Sequence, residues 1–142
     1  MKHLLTLVTL LALIGCAGTW YIVPAPKNHD RVSEIAAFVA ARNSLEPSPD
    51  VIKRPMQTLE DRSGDCADLS ALIAYWLVEE RLLPFEFVIW DGGYDALHAN
   101  IRYYGVVYDP VFPGWTGEGW IEIESRSWGD LQATWSKRAG AD

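Results

Sequence analysis

The sequence predicts an α+β domain, with helices first and a small antiparallel sheet after them. Apolar residues in the first half recur at helical spacing, at Val32, Ile35, Ala36 and Val39 and again at Leu69, Leu72, Ile73, Trp76 and Leu77. From Phe85 the pattern turns to alternation among β-branched and aromatic residues, punctuated by Asp91-Gly92-Gly93 and by Tyr104-Gly105. Helices and strands segregated along the chain indicate α+β rather than a parallel sheet built from βαβ units.

A chain of 142 residues that is 49% hydrophobic and 22% charged suffices for one core plus an N-terminal extra. The formal net charge of -7 argues against a nucleic-acid partner. Three histidines, one of them His3, do not form metal-ligand spacing, and no cofactor is expected.

Lys2 and His3 precede an apolar run over residues 4–14, short for a membrane span. The run ends Leu13-Ile14-Gly15-Cys16, which resembles the lipobox of bacterial lipoproteins. The resemblance implies a signal peptide over residues 1–15 and a lipidated Cys16 as first residue of the mature chain. Ala17 in place of Asp implies sorting to the outer membrane, facing the periplasm. The alternative is an uncleaved anchor, since residues 4–23 carry no charge over about one span. Either way the domain is exported. Residues 16–29 read as a tether stiffened by Pro24 and Pro26, and residues 30–142 as the domain.

Within the domain, Asp30 is expected to cap a helix running to about Arg42, with Asn43 as its stop. Residues 44–55 hold three prolines and read as a loop, followed by a short capped turn over residues 58–61. Gly64 breaks the chain before the next helix. Asp65 is a natural N-cap with Asp68 three residues on, so both are read as structural caps, and Cys66 becomes the first helical residue. This helix ends near Glu80-Arg81, ahead of Pro84. Strands follow over residues 85–90, 97–103, 106–109 and 120–124, read as a meander. Residues 114–119 form a Gly-rich loop between the last two. Ser127 and Asp130 form a second capping box, with Trp128, Leu131 and Trp135 on one face of a final helix.

The chemistry centres on Cys66. With Cys16 lipidated or in the membrane, Cys66 has no disulfide partner in the chain, and a lone thiol in an exported protein is a candidate nucleophile. At a helix N-terminus it meets free N–H groups and the positive end of the macrodipole, which favour the thiolate. A hairpin turning at Tyr104-Gly105 brings His98 close to Asp109 across the strands. A sheet packed on the Cys66 helix would then gather a nucleophile, a base and a group to orient the base. Asn100, on the same strand face as His98, is a weaker alternative orienter. For an oxyanion hole the candidates are the Cys66 backbone N–H and the Gln57 side chain.

Thr58-Leu59-Glu60, Gly64-Asp65-Cys66-Ala67-Asp68, Leu97-His98-Ala99 and Tyr108-Asp109-Pro110 resemble the transglutaminase-like group of papain-like cysteine enzymes, over about residues 58–111. The resemblance implies a papain-like core, a Cys66, His98, Asp109 triad, and acyl transfer through a thioester: peptide hydrolysis, deamidation or cross-linking. Family members often carry an aromatic residue two positions after the histidine, where this chain has Asn100. The expected function is that of an exported, lipid-anchored cysteine hydrolase or acyltransferase acting on a protein or peptide amide. The competing expectation is an envelope binding module whose cleft holds a peptide or protein partner. Trp115 and Trp120 would be its anchors in that reading, and at least one of them is expected to line the cleft in either case.

Overall fold

The computed structural model describes residues 27–47 and 51–139. The expected signal segment, Cys16 and most of the tether lie outside the described residues. No described helix is long and apolar enough to cross a membrane.

Helix α1 (His29–Arg42) buries Val32, Ile35, Ala36 and Val39, as its spacing predicts. Its cap is Asn28, whose side-chain oxygen accepts from Arg31 N at 3.0 Å. Asp30 therefore sits inside the first turn rather than capping it, where its charge still meets the positive end of the helix. Asn43 ends the helix and donates its amide back to Val39 O at 2.8 Å. The expected loop then holds a two-residue strand, β1 (Ser44–Leu45), paired in parallel with β2 (Ser63–Gly64). Two residues are too few to show a period. Helix α2 (Pro55–Asp61) is longer than the predicted turn, with proline in its first turn, where no N–H is needed.

Helix α3 (Cys66–Glu79) carries the predicted capping box. Asp65 Oδ1 accepts from Ala67 N and Asp68 N, both at 2.9 Å, and Asp68 Oδ2 accepts from Asp65 N at 3.2 Å. Asp68 also does something the sequence did not suggest. Fully buried, it accepts Lys53 N at 2.7 Å and ties the preceding loop to the helix start. Gly64 makes room for it, because a Cβ there would lie 2.5 Å from the Asp68 Cβ.

The sheet holds β3 (Phe85–Asp91), β4 (Leu97–Tyr103), β5 (Val106–Tyr108) and β6 (Ile121–Arg126) in the order β5-β4-β3-β6. All pairings in it are antiparallel. Tyr104 and Gly105, with φ of 46° and 82°, form the tight β4–β5 turn, which needs two left-handed residues. The last strand departs from a simple meander by returning beside β3. The outer side of β5 is already engaged by the start of α1, where His29 Nδ1 and the Tyr108 hydroxyl are hydrogen-bonded at 2.7 Å. Helix α4 (Trp128–Ala139) follows the Ser127–Asp130 capping box and buries Leu131 and Trp135.

One core unites these elements. Val32, Ile35 and Val39 meet Leu69, Leu72, Ile73 and Leu77 of α3, which also pack on Phe85, Phe87, Ile101 and Tyr103 of the sheet. Burying each such side chain contributes roughly 1.5–3 kcal/mol. One polar bond sets the register within this apolar contact: Ser70 Oγ donates to Ala99 O at 2.9 Å, fully buried. Ser70 lies one turn beyond Cys66, and Ala99 follows His98.

Candidate active site

Cys66 opens α3 and is half-buried. Asp65 takes the N–H groups of Ala67 and Asp68, whereas that of Cys66 has no acceptor among the described residues. His98 is the second residue of β4 and only 5% exposed. Strand β5 pairs with residues 101–103 alone, so among the described residues the side of β4 away from β3 carries no neighbouring strand at His98. Asp109 follows β5, is 7% exposed, and bonds His98 Nε2 through Oδ2. Its other oxygen accepts from Val111 N and Phe112 N, both at 2.8 Å, as the chain turns after Asp109-Pro110.

These contacts set the charges. Burial alone lowers the basicity of His98, but the hydrogen bond to Asp109 and the approach of the Cys66 sulfur outweigh it and raise the imidazole to about 9. Burial pushes the Asp109 carboxyl up. His98 and the N–H groups of Phe112 and Val111 reverse that and hold it below its ordinary value. At neutral pH the pair is an imidazolium and a carboxylate. With Nε2 committed to Asp109, Nδ1 is the ring nitrogen left to serve the thiol. Burial raises the Asp65 carboxyl, and the N–H groups it caps only partly offset this.

Trp115 and Trp120, both half-buried, pack edge-on against His98, with ring centroids 5.1 and 6.1 Å away. Phe112 lies at 5.4 Å. The imidazole–carboxylate contact is thus screened from water by aromatic rings. Gly92 permits this arrangement, since a Cβ there would lie 2.6 Å from the Trp120 ring.

Cys66 and His98 share a groove of about 480 Å³ with Asp65, Ile52, Leu97 and Ala99. Ile89, Arg126 and Thr134 complete its lining. The structure therefore brings Cys66, His98 and Asp109 together. It places Asp65 at the groove and Asp68 buried at the same helix start, both as caps. Trp115 and Trp120, at least one of them expected to line the cleft, are not among the residues lining this groove and instead pack edge-on against His98. Gln57 is exposed on α2 and does not line the groove. Sequence reasoning missed Ile52, Arg126 and Thr134, which come from separate segments and carry no motif. It also missed Ile89, although that residue shares a face with Ala99, opposite it in register.

The chain is similar to LapG of Legionella pneumophila, with a TM-score of 0.61 at 14% identity over 76% of this chain and 75% of that one. Calcium-bound LapG gives 0.59 at 14% identity, covering 77% of this chain and 79% of that one. The chain has the transglutaminase-like fold. At 14% identity the likeness is one of fold. No protein-family model matches the chain, and no curated protein matches it in sequence. Among the described residues here, no three His, Cys, Asp or Glu side chains converge to hold an ion.

Proposed function

We propose that this chain is an exported, lipid-anchored cysteine enzyme that cleaves or transfers a peptide or protein amide through a thioester. The observation that carries the proposal is the Asp109-bound imidazolium set beside a helix-terminal thiol in an open groove. The transglutaminase-like fold that the chain shares with LapG supports the same chemistry. The sequence of residues 13–16 supports the anchor.

In the proposed reaction the Cys66 thiolate attacks the carbonyl carbon of the amide. The C–N bond breaks as His98 passes its proton to the leaving nitrogen, leaving an acyl thioester and a free amine. Water, or a second amine, then gives a proton to His98 and attacks the thioester. The C–S bond breaks, and the product is an acid or a new amide. Asp109 holds the ring orientation throughout and stabilises the imidazolium whenever His98 carries its second proton. The unclaimed Cys66 N–H serves as one oxyanion donor. Trp115 and Trp120 shield the imidazole instead of standing free as anchors, which favours catalysis over the binding-module reading.

Native protein treated with iodoacetamide should label Cys66 stoichiometrically at neutral pH, read by mass spectrometry of its peptide. His98→Ala should slow that labelling at least tenfold. Labelling of Cys66 only after unfolding would sink the enzyme reading and leave a core thiol.

A further inference from the structure

We infer that Asn100 is a positioning residue for the His98–Asp109 pair, and that the Trp90 indole sets the direction of its amide. The inference rests on the catalytic reading above and extends it to two residues outside the triad.

Asn100 is fully buried on β4, two residues beyond His98. In register it lies opposite Val88, and His98 lies opposite Trp90, so Trp90, His98 and Asn100 share one face of the sheet. Trp90 Nε1 donates to Asn100 Oδ1 at 3.0 Å. An indole N–H can only donate, so it must meet the oxygen of the amide. The amide nitrogen then has to point the other way, and there Asn100 Nδ2 donates to Asp109 Oδ2 at 3.4 Å.

Each oxygen of the Asp109 carboxylate therefore receives two donors. Oδ1 holds the N–H groups of Val111 and Phe112, and Oδ2 holds His98 and Asn100. A carboxylate engaged on both oxygens cannot turn away from the imidazole. Trp90 is itself clamped. Trp115 meets it edge-on at 5.3 Å, and Gly117, at φ +80°, comes so close that a Cβ would lie 3.1 Å from its ring. The loop that shields His98 thus also aims the indole.

Removing the amide has a definite sign. In Asn100→Leu the Trp90 N–H loses its acceptor at a half-buried site. Asp109 Oδ2 at the same time loses one of its two donors, so the carboxylate is free to turn from the imidazole. The midpoint of His98, titrated by NMR at its Cε1–H, should fall by about one unit from about 9. Alkylation of Cys66 by iodoacetamide at pH 7 should slow several-fold. Trp90→Phe keeps the aromatic packing and frees the amide to turn, so it should give a smaller shift in the same direction. It also keeps the test alive if Asn100→Leu does not fold.

A lower melting temperature with an unmoved His98 midpoint would make Asn100 a packing residue only and overturn the proposal. So would folded variants with unchanged midpoint and alkylation. A Cys66 inert in the parent protein would instead sink the enzyme reading, while the His98 titration still decides the role of Asn100.

Discussion

The charge state of His98 follows from one neighbour more than any other. Burial would hold the ring neutral, and Asp109 reverses that. In Asp109→Asn burial is left with much less opposition, so the His98 midpoint should drop from about 9 to near or below its ordinary 6.5. Cys66 alkylation at pH 7 should fall by about 100-fold, because the orienting charge is gone. An NMR titration unmoved in that variant would exclude Asp109 as the partner. Stability gives an independent reading of the same pair. His98 has a folded value raised above its unfolded one, so its contribution is complete below about 6.5 and is lost as pH rises through about 9. Asp109 is lowered on folding, so its contribution is complete above its ordinary 3.8 and fades as pH falls through its folded value. The pair thus stabilises the fold most between about pH 4 and 6.5 and progressively less above that.

Elements were legible where one segment carried its own signal. The spacing of Val32 to Val39, the Asp65–Asp68 box and the Tyr104-Gly105 turn each appear in the structure as read. The thiol, imidazole and carboxylate were legible as well, because a helix cap and a hairpin fix their places locally. What stayed hidden depends on partners far apart in sequence. Asn28 rather than Asp30 caps α1, strand β1 exists only through residues 63–64, and β6 lies beside β3 instead of continuing the meander past β5. Ser70 holding Ala99, and Trp90 holding Asn100, leave no periodic trace. Gly92 belongs to this hidden class. It read as a turn glycine, yet a Cβ there would come within 2.6–2.7 Å of three Trp120 ring atoms. Gly92→Ala must therefore displace Trp120 from His98, at a cost of about 1–3 kcal/mol in denaturant unfolding and with a changed tryptophan emission. Unaltered stability and emission would mean that the Gly92 contact does not hold that ring.

For the whole molecule, the helices cover only part of the sheet, and the groove lies on what they leave open. Along β4 the residues on the core side run from Tyr103 and Ile101, both fully buried, through Ala99 at 3% to Leu97 at 62% exposed. Register sets Asp91 between Leu97 and Ile121, with Ile121 itself 69% exposed, and sets Ala99 opposite Ile89. An extended peptide presenting its carbonyl to Cys66 would cross this floor and rest aliphatic side chains on Leu97 and Ile89. Its reacting carbonyl and its floor contacts are separate. Loss of a floor contact weakens ground state and transition state alike, which raises KM while leaving kcat nearly as it was. Profiling with a peptide library should show a preference for an aliphatic residue beside the cleaved amide. Leu97→Ser, at an exposed position that the core does not use, should flatten that preference and raise KM about tenfold for the best peptide, the scale of removing a few buried methylenes. An identical profile in the variant would mean that substrate does not lie across this face of the sheet.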